Sequence, residues 1–263
     1  MCFKKWFSGP ALPEFTKNTI VHVAVGDYRG TANDLAGPPY DQKDFQDMVS
    51  SKWNNYVYRN HLDSQGTAVN FLNDLKKAVS LIEQDDLLLF INDNCYATSN
   101  TKGINSPNIL GHRFHPNPVL KPRLRIKTKA MSRAGNYIAM SACLENETAA
   151  DAMFEHPNGA YHYAIKKALE RGITYLQWHQ KTFSLLKKMG FDQTCTIDGP
   201  LEKVNRLCFE GNVYCFVLSS HGSYTYDRDG DEADGQDEGP FLFDRMVLDD
   251  EINAIIATNP YLC

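Results

Sequence analysis

The chain lacks several signals that would narrow its function at once. No run approaches the ~18–20 apolar residues of a membrane span, so no transmembrane helix is expected. The first ten residues carry Lys4 and Lys5 but no apolar stretch after them, and no signal peptide is read. None of the seven cysteines forms a CxxC pair, which suggests neither a zinc site nor a disulfide framework. The thiols are therefore expected to be reduced and the chain cytoplasmic. Positive charge is in deficit, with a formal net charge of −5, so a broad nucleic-acid-binding surface is excluded. There is no internal repeat and no low-complexity linker. What remains is 263 residues, 43% hydrophobic, enough for one large domain with a substantial core.

Apolar patterning supplies the elements. Ile20 to Gly26 is a short buried strand, and Tyr56 to Tyr58 a second. Leu87 to Ile91 is uniformly apolar, as central parallel strands are. Tyr137 to Cys143 and Asn212 to Leu218 complete the set. Helical spacing marks 41–53, 68–83 with Thr67 as N-cap, 160–170, 175–189 and 249–257. Strands alternating with helices predict an α/β three-layer sandwich, a mostly parallel sheet with helices on both faces. Residues 1–18 read as an N-terminal arm, 19–263 as a single domain, and 97–134 as a long loop.

Two strands end in reactive residues, Cys95 and His221, and sites in open α/β sheets form at the carboxyl ends of strands. A free thiol has a pKa of ~8.5, so it needs a base, and an imidazole can take its proton and pass it to a leaving amine. The backbone N–H groups of Cys95 and Gly222 are candidate oxyanion donors. Cys143 stands at a strand end too and is read as structural. An acidic stretch, Asp227 to Glu238, carries seven carboxylates in twelve residues. That density suits Ca2+, although glycine and ligand positions do not match an EF-hand; a solvated acidic loop is the alternative.

Several motifs together resemble the metacaspase family of caspase-like cysteine peptidases. They are Gly26-Asp27-Tyr28-Arg29-Gly30-Thr31 with Leu35, Gly37 and Asp41; Asp93-Asn94-Cys95; Ser141-Ala142-Cys143 with Glu147 to Ala152; Gly159-Ala160-Tyr161; Gly190 to Thr194; Ser219-Ser220-His221-Gly222-Ser223; and Leu248-Asp249-Asp250-Glu251-Ile252. Tyr96 and Ala97 stand where the family has His and Ser. The resemblance implies a caspase-like fold, a Cys95–His221 dyad, and cleavage after Arg or Lys. It places Asp41, Asp93 and Ser219 in the specificity pocket and calcium on Asp237, Asp249 and Asp250, with self-processing at the basic stretch Lys121 to Arg133. Protein or peptide substrates with a basic P1 residue are the implied partners, with no nucleic acid and no membrane. The second functional class is a weakly active or inactive caspase-like binding module, the third a Ca2+-binding module whose cysteine is incidental.

The segments run in an unfamiliar order. In the family the His segment precedes the Cys segment; here it comes last. A parallel sheet accommodates this if the last strand inserts between the first strand and the Cys-bearing one. The other arrangement is exchange of the last segment between two chains, which would give a dimer.

Overall fold

The computed structural model describes residues 12–30, 34–93, 109–112, 135–144, 147–226 and 236–262. Its centre is a six-stranded sheet. Strand β1 (Asn18–Ala24) pairs in parallel with β2 (Val57–Leu62) on one side and with β9 (Val213–Ser219) on the other. Strand β9 then pairs in parallel with β3 (Leu87–Asn92), which pairs in parallel with β5 (Tyr137–Ser141). The short β8 (Thr196–Asp198) closes the far edge, antiparallel to β5. The order is β2-β1-β9-β3-β5-β8, so the last long strand of the chain fills the slot between the first and third. This is the first of the two arrangements expected from the segment order, with β9 inserted between β1 and β3.

Side-chain alternation sorts the strands onto two cores. In β9, Val213, Cys215 and Val217 face one side while Tyr214, Phe216 and Leu218 face the other. The first side is covered by α1 (Pro38–Ser50), α3 (Ala160–Ala168) and α4 (Tyr175–Lys188). The second is covered by α2 (Ala68–Leu81) and α6 (Asp249–Ile256). All seven residues of β9 are buried, as a central strand covered on both faces must be. This is the α/β three-layer sandwich predicted from the sequence. Helix α2 starts where expected, with the Thr67 side chain accepting the Asn70 N–H. Helix α1 begins earlier than its apolar spacing suggests because Pro38 and Pro39 open it, positions where proline's missing N–H costs nothing.

Three expectations change, and one connection that was not read proves structured. The 97–134 stretch is not wholly without structure: β4 (Ile109–His112) joins β6 (Ala150–Met153) and β7 (Pro157–Gly159) in a small antiparallel sheet. The acidic stretch is not uniformly solvated, because its end forms β11 (Gln236–Phe241), paired with β10 (His221–Tyr226), and Asp237 and Glu238 are buried. The connection before β9 holds β8 and the one-turn α5 (Leu201–Val204). Finally, Cys143 is disulfide-bonded, although Cys195, Cys208 and Cys215 are free thiols. Its partner lies outside the described residues. Spacing along the chain is blind to such a bond, since pairing depends on distance in space.

No helix among the described residues is long and apolar enough to cross a membrane.

Candidate active site

The site grows out of the carboxyl ends of β1, β9 and β3. Asn92 pairs with Leu218, and the next N–H, that of Asp93, donates to the Leu218 carbonyl at 2.8 Å. Asp93 therefore sits level with Ser219, one strand away. Alternation puts Asp93, Ser219 and His22 on the face covered by α1 and α3. There the three polar side chains end an otherwise apolar surface. His22 Nε2 lies 3.1 Å from Ser219 Oγ, which lies 3.5 Å from Nδ1 of His162 on α3. His162 Nδ1 donates to Asp93 Oδ2 at 2.9 Å, and the His22 and His162 rings stack with centroids 5.4 Å apart.

Helix α1 brings in Asp41 from its first turn. The Asp41 Oδ1 accepts hydrogen bonds from Asn158 Nδ2 and Gly159 N–H, both at 3.0 Å. Asp41, Asp93 and His162 each offer one ligand atom within 4.8 Å of the others. The three residues of the expected specificity pocket, Asp41, Asp93 and Ser219, thus meet at one end of the sheet, and all are 0% exposed. Burying carboxylates is costly unless they are hydrogen-bonded or paired. Here the amino-terminal end of α3 does that work, through the Gly159 N–H and the His162 imidazole. Beside them Asp44 takes an ion pair from Lys166 at 2.7 Å, and Asp151 accepts the Gly37 N–H at 2.9 Å.

His221 leaves the same edge two residues after Ser219, as the first residue of β10. It is 2% exposed. Its backbone N–H donates to the Tyr28 hydroxyl at 3.0 Å, and that hydroxyl donates to the Phe241 carbonyl at 2.9 Å. Because His221 and Phe241 are register partners, Tyr28 ties together both strands of the hairpin. Its ring also packs on the imidazole, centroids 4.9 Å apart. Gly222 follows in β10, opposite Pro240. Cys95, two residues past Asp93, lies outside the described residues, as does Lys121 to Arg133.

The expected calcium residues occupy the hairpin and its neighbour. Asp237 is on β11, while Asp249 and Asp250 open α6. A Cβ at Gly239 would stand 1.5 Å from the Val247 carbonyl oxygen, so only glycine lets the chain before α6 run this close to β11. That approach brings the start of α6 beside the strand that bears Asp237. The three carboxylates are hard oxygen donors, the kind Ca2+ takes. The Asp41, Asp93 and His162 set, with its imidazole, is chemically different. Residues 227–235 lie outside the described residues.

The remaining described thiols are poor nucleophiles. Burial pushes Cys195 up to about 12, and burial raises Cys208 and Cys215 as well. His22 and His162 are site residues that motif reading did not single out, and Tyr28 stood in a quoted motif without a role. One signal was present for each histidine: a polar residue inside an apolar strand, and a polar residue on the buried side of a helix.

No protein-family model and no curated protein sequence matches the chain. Among solved structures it is similar to protein GSU0716 from Geobacter sulfurreducens, at 15% identity over 72% of this chain and 97% of that one, with a TM-score of 0.49. It is also similar to caspase-1 from Spodoptera frugiperda, at 10% identity over 78% of this chain and 90% of that one, with a TM-score of 0.44.

Proposed function

We propose that the chain is a caspase-like cysteine endopeptidase with Cys95 as nucleophile and His221 as general base. The observation that carries this reading is the strand order. With β9 inserted beside β3, the chain segments bearing His221 and Cys95 leave the sheet from hydrogen-bonded neighbours at one edge. The His221 imidazole would take the thiol proton and return it to the leaving amine, and the N–H groups of Gly222 and Cys95 would hold the developing oxyanion. Cleavage follows Arg or Lys, because Asp41 and Asp93 meet beneath that edge and carboxylates complement a guanidinium or ammonium. Asp237, Asp249 and Asp250 would hold a Ca2+ ion, whose positive charge would offset their carboxylates where β11 meets α6. The compartment is cytoplasmic on this reading.

A second reading is a weakly active or inactive module. It is favoured by two observations: both pocket carboxylates are 0% exposed and already hydrogen-bonded, and Cys143 carries a disulfide.

Cleavage of peptides with Arg, Lys or norleucine at P1, assayed with and without thiol reductant and Ca2+, separates the two. The peptidase reading expects turnover of the basic substrates under reducing conditions, abolished by Cys95→Ala with the fold retained. Full activity in Cys95→Ala, or no turnover under any condition, contradicts it.

A further inference from the structure

Resting on that peptidase reading, we propose that His162 is a specificity-determining residue. It acts as a built-in counter-ion that occupies Asp93 and must yield before a basic P1 side chain can use the pocket. The pocket is not a pair of free carboxylates. Asp93 Oδ2 is held by His162 Nδ1 at 2.9 Å, with side-chain exposures of 0% and 1%. Asp41 Oδ1 is held by Asn158 and by the Gly159 N–H. Both holds come from one short stretch, β7 running into α3, so the end of that helix fills the place where the cation of a substrate would bind.

The imidazole's other nitrogen explains why the hold can be broken. His162 Nε2 is buried and makes no hydrogen bond. With Nδ1–H donated to a carboxylate, a neutral imidazole leaves a bare lone pair at Nε2, and a protonated one leaves an unpaired donor. Either form is only half satisfied, so His162 holds Asp93 through a single hydrogen bond. A guanidinium carries five donors in a planar fork and always bears its charge, so it outcompetes a single imidazole N–H for the same oxygen. Ser219 Oγ, 3.5 Å from His162 Nδ1, is positioned to accept that N–H once Asp93 is taken. In energetic terms, part of the binding energy of every basic substrate goes into displacing His162. The pocket thereby discriminates against weakly donating P1 side chains.

The test uses the full chain carrying Cys95→Ala, so that binding is measured without turnover. A peptide ending in P1 arginine is titrated beside its citrulline isostere, which has the same shape and no charge. His162→Ser removes the counter-ion; His162→Gln keeps an amide N–H within reach of Asp93. The proposal expects the arginine peptide to bind about tenfold tighter to His162→Ser, the worth of one charge-assisted hydrogen bond. The citrulline peptide should change less than about twofold and His162→Gln should stay near the parent. Independently of any substitution at 162, the hydrogen-bonded Nδ1 proton of His162 in histidine-labelled protein should shift on adding the arginine peptide but not the citrulline one. Arginine-selective binding that is no tighter in His162→Ser, or a histidine signal that ignores the arginine peptide, overturns the role of His162 alone. Equal binding of arginine and citrulline peptides in every variant overturns the basic pocket itself.

Discussion

At the scale of single residues, the Tyr28 hydroxyl holds His221, the base of the proposed dyad. It accepts the His221 N–H, donates to Phe241, and its ring lies against the imidazole. Tyr28→Phe keeps the ring and removes the hydroxyl that bridges His221 and Phe241, at a cost of ~1–3 kcal/mol. The expected outcome is a lower melting temperature together with a kcat loss larger than any change in KM, read from thermal unfolding and steady-state kinetics. Cysteine chemistry gives a second check. Since burial raises Cys195, Cys208 and Cys215, none of the three should react with iodoacetamide in the native protein at neutral pH, as read by peptide mass spectrometry. The place of His221 just past the end of a strand was legible in the sequence, because an apolar run followed by polar residues is a local pattern. The His22, Ser219, His162, Asp93 chain was not, because it joins residues from β1, β9, α3 and the end of β3, and no local pattern records which strands become neighbours.

At the scale of elements, the outer edge of the sheet is clamped by an ionic cluster. Arg59 of β2 makes two bonds to Asp74 of α2, His61 adds a third at 2.8 Å, and Phe15 of the N-terminal arm lies under the Arg59 guanidinium. Burial works against ionisation of Asp74, but the hydrogen bonds from His61 and Arg59 outweigh it and hold the carboxyl below its ordinary 3.8. A carboxyl depressed on folding contributes stability above its unfolded value and loses that contribution as pH falls through the folded one. The parent and Asp74→Asn should therefore differ most near neutral pH and converge below pH 3.8 in denaturant titrations. Gly239→Ala is the sharper test of the β11–α6 junction. The added methyl would overlap the Val247 carbonyl, so a loss of at least ~2 kcal/mol is expected from overpacking against backbone. The long strands and all five long helices were legible from periodicity. The strands β4, β6, β7 and β8 were not, since each has only three or four residues, and β10 and β11 were not because their polar sequences owe their pairing to each other.

At the scale of the whole molecule, one placement decides the reading. The sequence order puts the strand that leads to His221 after the other five strands of the main sheet; the sheet puts it in the middle. A strand from late in the chain can take a central slot when both neighbours offer it a parallel register. Strand β9 does so with β1 and β3. Its central place also makes it the costliest strand to damage: Phe216→Ala should lose ~3–5 kcal/mol and unfold the domain as one unit. The class of fold was thus readable from the alternation of strands and helices, while the place of β9 in the sheet was left open between two arrangements.

The most direct test of a Cys95–His221 peptidase is a covalent one. The reduced protein is treated with an electrophilic peptide bearing a P1 arginine, the modified residue is mapped by mass spectrometry, and the rate is compared with that of His221→Ala. The account predicts labelling of Cys95, with the rate falling at least ~100-fold when the general base is removed. Labelling at another cysteine, no labelling of the reduced protein, or an unchanged rate in His221→Ala would contradict it.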